Sequence, residues 1–306
     1  DLAQMVDTND EWITSRTGIR RRHLAAPADS LGTLATQAAR QALAMAAVAP
    51  QEVELILLAT STPDDLFGSA CQVQAELGAS RAVAFDLTAA CSGFVFALVT
   101  AAQYIRTGAF QTIVVIGADV LSRWTDWSDR RTCVLFGDGA GAVVIRASDR
   151  DRLLGFELCS DGTLNGCLKL PYQPKATPLT ADLAIQKGGF EPITMNGREV
   201  YKFAVSRVPE VIEKALFRAG LTTQAVDWLV LHQANQRILE AVAERLGVPL
   251  ERVLSNMADH GNTSAASIPL VLDEAVRSGQ VQPGDIIATA GFGAGLTWGS
   301  AIFQWG

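Results

Sequence analysis

One cysteine lies where a nucleophile could work. Cys91 stands among small residues in the stretch 83–96, which is typical of a short strand, a turn and a helix ending near Arg106. We therefore place Cys91 at or near a helix N-terminus, where unpaired N–H groups and the helix dipole favour an anion. Most free cysteines in apolar segments are buried and inert. The pattern nevertheless predicts a reactive thiolate at Cys91, because suitable partners occur later in the chain.

Those partners are a histidine and an asparagine in the second half. His232 closes an apolar strand, and Asn262 precedes a helix that ends near Gly279. Strand carboxyl ends and helix N-termini are where α/β proteins bind ligands. A cysteine nucleophile with two side-chain hydrogen-bond donors could carry out acyl transfer. The alternatives are a structural histidine at a strand end and an asparagine that only caps its helix.

The elements that must position these residues occur twice. The segment 215–232 matches the segment 42–59 without a gap, and each half closes on a glycine-rich turn and a strand. Alternating strands and helices predict an α/β fold. We infer an internal duplication into two α/β halves, 1–150 and 151–306, related by a pseudo-twofold axis. Such an axis would bring the helix N-termini at Cys91 and Asn262 face to face.

Composition excludes several classes of protein. The chain has 306 residues and a net charge of −7, so we expect no general affinity for nucleic acid or anionic membranes. Its five cysteines form no CxxC pair and no Cys/His metal spacing, which predicts no metal site and reduced thiols in the cytoplasm. No apolar run reaches the ~18 residues of a membrane span. The chain starts at Asp1, and the sequence leaves open whether a natural N-terminus or a targeting segment precedes it.

Four segments together resemble the β-ketoacyl-acyl carrier protein synthase III family. They are 7–18 (DTNDEWITSRTG), 87–93 (LTAACSG), 232–235 (HQAN) and 260–269 (HGNTSAASIP). The resemblance covers the whole chain, although the family's first strand, which normally precedes the first of these segments, is absent. It implies a thiolase fold, in which duplicated α/β halves form a five-layer αβαβα sandwich, and a homodimer.

The resemblance also implies a reaction and three catalytic residues. Cys91, His232 and Asn262 match the family's Cys-His-Asn triad. Cys91 would take the acyl group from a short acyl-CoA such as acetyl-CoA. Malonyl-acyl carrier protein would then lose CO₂ and condense with the acyl-cysteine, starting fatty acid synthesis. His232 and Asn262 would donate hydrogen bonds to the malonyl thioester oxygen, while the N–H groups of Cys91 and Ala294 would bind the acyl carbonyl. CoA enters as a substrate, so no cofactor is expected.

Three further sets of residues match positions that bind substrates in the family. The expected CoA contacts are Trp12, Arg16, Arg130 and Asn235. The expected acyl-pocket residues are Phe67 (reaching across the dimer), Leu135, Phe136 and Met195. The expected docking residues for the acidic carrier protein are Arg198, Lys202 and Arg237. For each set an ordinary structural role, such as core packing or a solvated charged face, remains the alternative.

Two regions of the chain depart from the family's pattern or lack clear periodicity. Glu244-Arg245 stands where some members carry two basic residues, and the segment 160–190 is either a flap over the site or a plain excursion.

A polyketide-priming or other synthase III-like acyltransferase would use the same triad with a different donor or acceptor. A non-catalytic homologue is disfavoured by the intact triad, and a cysteine protease by the duplicated halves. Thiolases proper use a second cysteine near the C-terminus, which this chain lacks.

Overall fold

The computed structural model describes all 306 residues. The helices are α1 (Asp10–Thr17), α2 (Leu31–Met45), α3 (Ala70–Leu77), α4 (Gly93–Arg106), α5 (Gly197–Ala219), α6 (Gln236–Leu246), α7 (Met257–His260) and α8 (Ser267–Arg277). The strands are β1 (Leu55–Ala59), β2 (Val83–Leu87), β3 (Thr112–Val120), β4 (Asp138–Arg146), β5 (Leu153–Ser160), β6 (Leu168–Lys169), β7 (Tyr172–Pro178), β8 (Ala184–Phe190), β9 (Thr194–Met195), β10 (Trp228–Leu231), β11 (Ile286–Gly293) and β12 (Thr297–Gln304). The predicted alternation of strands and helices is confirmed.

Two four-stranded sheets form the framework. The first has the order β2-β1-β3-β4, with β4 antiparallel to its neighbour and the rest parallel. The second has the order β10-β11-β12-β5, in which only β10 and β11 are parallel. The parallel strands β1 and β3 therefore end at one sheet edge, as do β10 and β11. Ligand sites in open α/β sheets lie outside such carboxyl ends.

Helices cover both faces of each sheet and produce five layers. Helices α2 and α3 pack on the outer face of the first sheet, α4 and α8 lie between the sheets, and α5 and α6 cover the second sheet. Strand β1 is buried throughout, because Leu55 and Leu57 face the central helices while Ile56 and Leu58 face the outer ones. The predicted five-layer αβαβα sandwich of the thiolase fold is confirmed.

Packing across the halves is more interleaved than a simple boundary at residue 150 implies. The strands of the first sheet precede that residue and those of the second follow it. Helix α1, however, packs on α6 of the second half, with Ile13 and the following Ile19 in the same core cluster as Ile238 and Val242. The N-terminal segment thus contributes to the hydrophobic core of the other half.

The duplication is visible in two matching turns. Ala90 and Ser264 occupy corresponding positions and have left-handed φ values of 46° and 52°. Each begins a 3₁₀ turn, Ala90–Ser92 before α4 and Ser264–Ala266 before α8. Non-glycine residues rarely adopt this conformation, so its occurrence at both positions is specific evidence for a repeated unit.

Glycines allow these two turns to pack against the opposite sheets. A side chain at Gly117 of β3 would collide with the carbonyl oxygen of Ala265. A side chain at Gly291 of β11 would lie 3.0 Å from the Cα atom of Ser92. Real Cβ atoms essentially never come as close as the first contact, and the second is tighter than nearly all contacts that they make. A densely packed interior cannot easily move aside for either one. Glycine at both positions therefore brings the two turns together at the centre of the molecule.

The segment between β5 and α5 forms a surface excursion. It contains a 3₁₀ turn and an antiparallel hairpin of β7 and β8 whose residues are almost all exposed. The hairpin is anchored at its base, where Phe190 makes edge contacts with Trp124 and Tyr172. None of the eight helices combines the length and apolar character needed to cross a bilayer.

Candidate active site

Cys91 lies in the turn that leads from β2 into α4. The turn Ala90–Ser92 continues directly into the helix, so the thiol is at a helix N-terminus, as predicted. Cys91 is only 8% exposed, and it lines an internal cavity. A side chain at Gly293 would come within 2.6 Å of the Cys91 nitrogen. Glycine at that position therefore lets β11 lie directly against the nucleophile turn.

The protonation state of Cys91 differs from the sequence-based prediction. Burial is the main reason that the pKa of the Cys91 thiol is raised to about 12; a hydrogen bond from Ser264 acts to lower it, and the buried carboxylate of Asp119 acts to raise it. Removing a charged group from water disfavours its ionised form. The prediction of a resting thiolate is therefore wrong: the sulfur is held as a thiol, whose proton must leave when the sulfur reacts.

His232 follows β10 and is 2% exposed. Its backbone N–H donates to Ala290, which fixes the residue to β11. The ring Nδ1 lies 2.8 Å from the Ser267 hydroxyl, and that same hydroxyl oxygen accepts the Gln233 N–H at 3.2 Å. We assign the hydroxyl hydrogen to Nδ1, which places the ring proton on Nε2. Burial lowers the pKa of His232 to about 3, so the ring is neutral at physiological pH.

Asn262 is held at both its backbone and its side chain. Its N–H donates to Leu135 and its carbonyl oxygen accepts the Gly137 N–H, so the segment 135–137 clamps it in place. Its side-chain Oδ1 accepts the Ser264 N–H at 2.9 Å. The side chain therefore stabilises the turn before α8, but Asn262 is not the N-cap of that helix, which is Ala266. Its Nδ2 group makes no hydrogen bond within the chain and remains available as a donor.

The three residues line one cavity of about 480 Å³. Its inner wall includes Leu135, Phe136 and Met195, the three expected acyl-pocket residues within this chain. Its exposed rim includes Arg16, Arg198, Tyr201 and Arg237. The cavity thus connects an apolar interior with a basic mouth. The Cys91 thiol and the side chains of His232 and Asn262 line this cavity. A larger surface groove, lined mainly by charged side chains of α5, contains none of these residues.

Hydroxyl groups hold the glycine-rich turn against the nucleophile turn. The Thr297 hydroxyl lies 2.8 Å from the Ser92 hydroxyl, 3.1 Å from the carbonyl of Ala89 and 3.2 Å from that of Ala294. These contacts link the start of β12 with the start of α4. They bring Ala294, the expected backbone donor, to the neighbourhood of Cys91, although it is not among the cavity-lining residues.

An aromatic and cationic cluster lies next to the mouth. The guanidinium carbons of Arg16 and Arg130 lie 4.8 Å and 5.2 Å from the centre of the Trp12 ring, within cation–π range. Asn235 lines the cavity, but both ends of its amide have protein partners, the Arg16 carbonyl and the Arg237 N–H. Its observed contacts therefore position α1 and cap α6.

Two expected site residues lie outside the cavity. Phe67 is 98% exposed on a loop that Asp64 ties to α2 and to Arg123. Lys202 is on α5 near the mouth but does not line it, and its ammonium group pairs with Glu199 at 2.9 Å. The chain by itself therefore brings neither side chain into contact with the cavity.

Sequence reasoning missed several residues that act on the triad. Ser264 Oγ lies 3.3 Å from Cys91 Sγ, and Ser267 contacts His232. The fully buried Asp119 accepts the N–H of Ala265, in the turn before α8. Both serines fall within the recognised segment 260–269, yet nothing in their spacing assigned them to different partners. A signal for Asp119 was present, since it is the one charged residue in the apolar strand β3.

Comparison with known proteins agrees with this geometry. The family model described as 3-oxoacyl-[acyl-carrier-protein] synthase III matches residues 85–162, and the model of its C-terminal part matches residues 216–305. The first match contains Cys91, and the second contains His232 and Asn262. The first match covers most of the sheet that precedes residue 150 and extends through β5, and the second match lies within the second half.

Whole-chain relatives extend the match. The chain is 66% identical to the β-ketoacyl-[acyl-carrier-protein] synthase III of Acaryochloris marina, covering 99% of this chain and 92% of the relative. It resembles the solved synthase III of Aquifex aeolicus with a TM-score of 0.91 and 44% identity, over 100% of this chain and 94% of the other. It also resembles the priming β-ketosynthase of the R1128 polyketide pathway, with a TM-score of 0.90 and 35% identity over 99% and 90%. The chain therefore belongs to the β-ketoacyl-[acyl-carrier-protein] synthase III family of condensing enzymes.

Proposed function

We propose that the protein condenses a short acyl-CoA, acetyl-CoA in the simplest case, with malonyl-acyl carrier protein. The products are 3-ketoacyl-acyl carrier protein, CoA and CO₂, and the reaction initiates fatty acid synthesis. One observation carries the proposal: the Cys91 thiol lines the same cavity as two N–H donors, His232 Nε2 and Asn262 Nδ2, that have no partner within the chain.

The first half-reaction transfers the acyl group to Cys91. The sulfur attacks the thioester carbonyl, the tetrahedral oxyanion forms, and CoA leaves as a thiolate. We assign the oxyanion to the backbone N–H groups of Cys91 and Ala294, which the contacts of Thr297 hold near each other. A cysteine suits both half-reactions, because its sulfur is first the nucleophile and later the leaving group.

The second half-reaction needs a neutral histidine. Loss of CO₂ from the malonyl group leaves an enolate, whose charge lies on the thioester oxygen. His232 Nε2 and Asn262 Nδ2 donate hydrogen bonds to that oxygen, and the low pKa of His232 keeps the ring a donor without a positive charge. Removing one such donor in comparable sites costs roughly 3–4 kcal/mol, or 10²–10³ in rate. The enolate carbon then attacks the acyl-cysteine.

Substrate binding is assigned from the same cavity. Trp12 with Arg16 and Arg130 offers a stacking surface and guanidinium groups for the adenine and phosphates of CoA. The apolar wall at Leu135, Phe136 and Met195 accepts the acyl chain. We assign carrier-protein docking to Arg198, Lys202 and Arg237, since an acidic partner approaches a chain of net charge −7 through a local basic surface.

We further propose that the active form is a cytoplasmic homodimer. Leu66, Phe67, Val83 and Phe85 form an exposed apolar region on the loop before α3 and on the edge strand β2. A second copy would cover this edge and receive Phe67 as part of its acyl pocket. The free thiols of all five cysteines are compatible with a reducing compartment.

Intact-mass spectrometry tests the acyl-enzyme. The protein is mixed with acetyl-CoA, isobutyryl-CoA or octanoyl-CoA, and the Cys91→Ser variant is treated in parallel. Cys71→Ser is the matched control, because it removes an exposed cysteine. We expect an acyl adduct on wild type and on the control, absent in Cys91→Ser, and its loss when malonyl-acyl carrier protein is added. Absence of an adduct with every acyl-CoA would contradict the proposed function.

A polyketide-priming role is the second candidate, favoured by the similarity to the R1128 priming ketosynthase. It shares the first half-reaction and differs in the acyl donor or the carrier protein that follows. The acylated enzyme is therefore offered malonyl groups on a fatty-acid carrier and on a polyketide carrier. Faster product formation on the polyketide carrier would favour the second candidate.

A further inference from the structure

Ser264 begins the turn before α8 in an unusual backbone conformation. Its φ of 52° lies in the left-handed region that residues other than glycine rarely adopt, and the residue is 2% exposed. The turn Ser264–Ala266 packs against the turn Ala90–Ser92, which carries Cys91. This packing brings a buried hydroxyl of the second half up to the nucleophile of the first half.

The Ser264 hydroxyl has one hydrogen-bond partner, the Cys91 sulfur. Its Oγ donates to Sγ over 3.3 Å. No other side chain hydrogen-bonds this sulfur, because the His232 ring pairs with Ser267 and the Asn262 amide pairs with the Ser264 N–H. The hydroxyl is therefore the single side-chain donor directed at the atom that reacts.

The surroundings of Cys91 oppose a negative charge on its sulfur. Burial is the main reason that the pKa of the thiol is raised to about 12, and the buried Asp119 carboxylate acts in the same direction. The hydrogen bond from Ser264 acts against both. Hydrogen bonds to ionised groups are stronger than neutral ones, and low local dielectric strengthens them further. The donor at the sulfur therefore matters most at the moment when a thiolate forms.

We propose that Ser264 is a further catalytic residue, whose hydroxyl donates a hydrogen bond to the Cys91 sulfur whenever that sulfur carries negative charge. The proposal rests on the acyl-CoA reaction assigned above. In acylation the S–H bond of Cys91 breaks and the sulfur bonds the acyl carbon. The CoA sulfur leaves with the electron pair of its broken C–S bond. Cys91 releases its proton to solvent and the CoA thiolate takes one up, so the step is balanced.

The same hydroxyl acts again in condensation. The enolate carbon attacks the acyl carbon, the C–S bond to Cys91 breaks, and its electron pair stays on the sulfur as a thiolate. The thiolate then takes a proton from solvent. Ser264 thus stabilises the nucleophile of one half-reaction and the leaving group of the other. His232 and Asn262 have a different task, since they stabilise charge on the malonyl thioester oxygen.

The backbone and the hydroxyl of Ser264 contact different triad residues. Its N–H donates to Asn262 Oδ1 at 2.9 Å, whereas its hydroxyl donates to Cys91. The Ser264→Ala variant removes the hydroxyl and retains the N–H. Ala90 adopts the same left-handed conformation at the corresponding position of the first half, so alanine is compatible with the turn. The variant therefore separates the donor to the sulfur from the support of Asn262.

Alkylation of Cys91 by iodoacetamide tests the hydrogen bond without any acyl substrate. A hydrogen bond to a charged group changes the thiolate fraction about 10–100-fold. About half of that change, on a logarithmic scale, is offset because a more basic thiolate is a better nucleophile. We expect Ser264→Ala to be alkylated about 3–10-fold more slowly than wild type at each pH from 6 to 9. Ser300→Ala, which removes a fully buried hydroxyl that has no hydrogen-bond partner, should match wild type.

Rapid-quench measurement of acyl-Cys91 formation from acetyl-CoA extends the test to the reaction. We expect acylation by Ser264→Ala to be slower by a similar factor, about 3–10-fold. Release of CO₂ from malonyl-acyl carrier protein, measured without acyl-CoA, should stay at the wild-type rate, because His232 and Asn262 keep their partners.

Three outcomes would contradict these assignments in different ways. Equal alkylation and acylation rates in Ser264→Ala and wild type would overturn the role of the hydroxyl. A fall in CO₂ release as large as the fall in acylation would also overturn it, since the variant would then have disturbed the whole site. A wild type that is alkylated at Cys91 but forms no acyl-enzyme would overturn the proposed function instead.

Discussion

The orientation of His232 depends on one hydroxyl group. Ser267 accepts the Gln233 N–H and contacts His232 Nδ1, and this arrangement directs Nε2–H to the cavity. Oxyanion stabilisation requires donors fixed before charge develops. At the residue scale the site therefore depends on the donor direction of neutral side chains, with no charged catalytic histidine.

We predict that Ser267→Ala slows malonyl decarboxylation about tenfold, since His232 can then adopt the other tautomer. Acylation of Cys91 should stay close to the wild-type rate, because Ser267 makes no contact with the sulfur. Nitrogen-15 NMR of His232 should show loss of the Nε2–H form. Ser278→Ala, at the end of the same helix, is the control. An unchanged tautomer and decarboxylation rate would show that Ser267 does not orient the ring.

We predict that alkylation of Cys91 by iodoacetamide rises about tenfold per pH unit between pH 6 and 9. The thiolate is the reactive form, and below a pKa of about 12 its fraction grows tenfold with each unit. Mass spectrometry after timed quenching measures the rate at each pH, with Cys91→Ser as the blank. A plateau below pH 8 would mean that the helix dipole lowers the pKa of Cys91 by more than burial raises it.

Glycines decide how closely the elements of the two halves approach at the nucleophile. Strand β11 passes against the turn before α4 at Gly293, and β3 passes against the turn before α8 at Gly117. Both contacts are backbone to backbone, and they position the turn that carries Cys91 and the turn that follows Asn262. Precise placement of reacting groups can account for a large part of the rate enhancement of an enzyme.

We predict that Gly293→Ala destabilises the fold by about 1–3 kcal/mol and strongly reduces acylation of Cys91. The added Cβ would lie 2.6 Å from the Cys91 nitrogen and 3.0 Å from the Ala90 Cβ, so the turn must shift. Thermal unfolding and the mass-spectrometric acylation rate measure the two effects. Gly162→Ala introduces the same methyl group into open space and should change neither. Wild-type acylation by Gly293→Ala would contradict the close-approach argument.

At the scale of the whole molecule, the apolar edge of the first sheet needs a partner. Strand β2 has a free edge, with Val83 and Phe85 exposed. We predict a dimer in sedimentation velocity, and we expect Phe85→Glu to shift it towards monomer by placing a charge in the interface. Phe217→Glu changes an aromatic residue that is exposed elsewhere, on α5, and should remain dimeric. A monomeric wild type would rule out this interface.

Carrier-protein docking is the second whole-molecule prediction. The double variant Arg198→Glu, Arg237→Glu reverses two charges at the cavity mouth. We expect the KM for malonyl-acyl carrier protein to rise at least tenfold and to lose its salt dependence, because rim charges steer association. The kcat at saturation should change little. Arg150→Glu, on a distant exposed loop, is the control. An unchanged KM would place the docking surface elsewhere.

The sequence by itself determined the order of elements and pointed to Cys91, His232 and Asn262, which the structure places on one cavity. Each triad residue belongs to a local strand–turn–helix pattern, and local patterns are set by neighbours along the chain. The duplication then predicted that Cys91, His232 and Asn262 would meet. The glycine-rich segments were also recognisable in the sequence, because positions where two backbones approach closely require glycine.

Only the tertiary structure decided the protonation of Cys91 and the partners of Ser264, Ser267 and Asp119. The hydrogen-bond partners at these positions come from segments that are distant in the chain, from 35 residues for Ser267 and His232 to 173 residues for Ser264 and Cys91. No local pattern encodes such contacts. The same reason explains why α1 was assigned to the first half although it packs on α6. A pKa is a property of the assembled environment, so the helix position alone could not predict it.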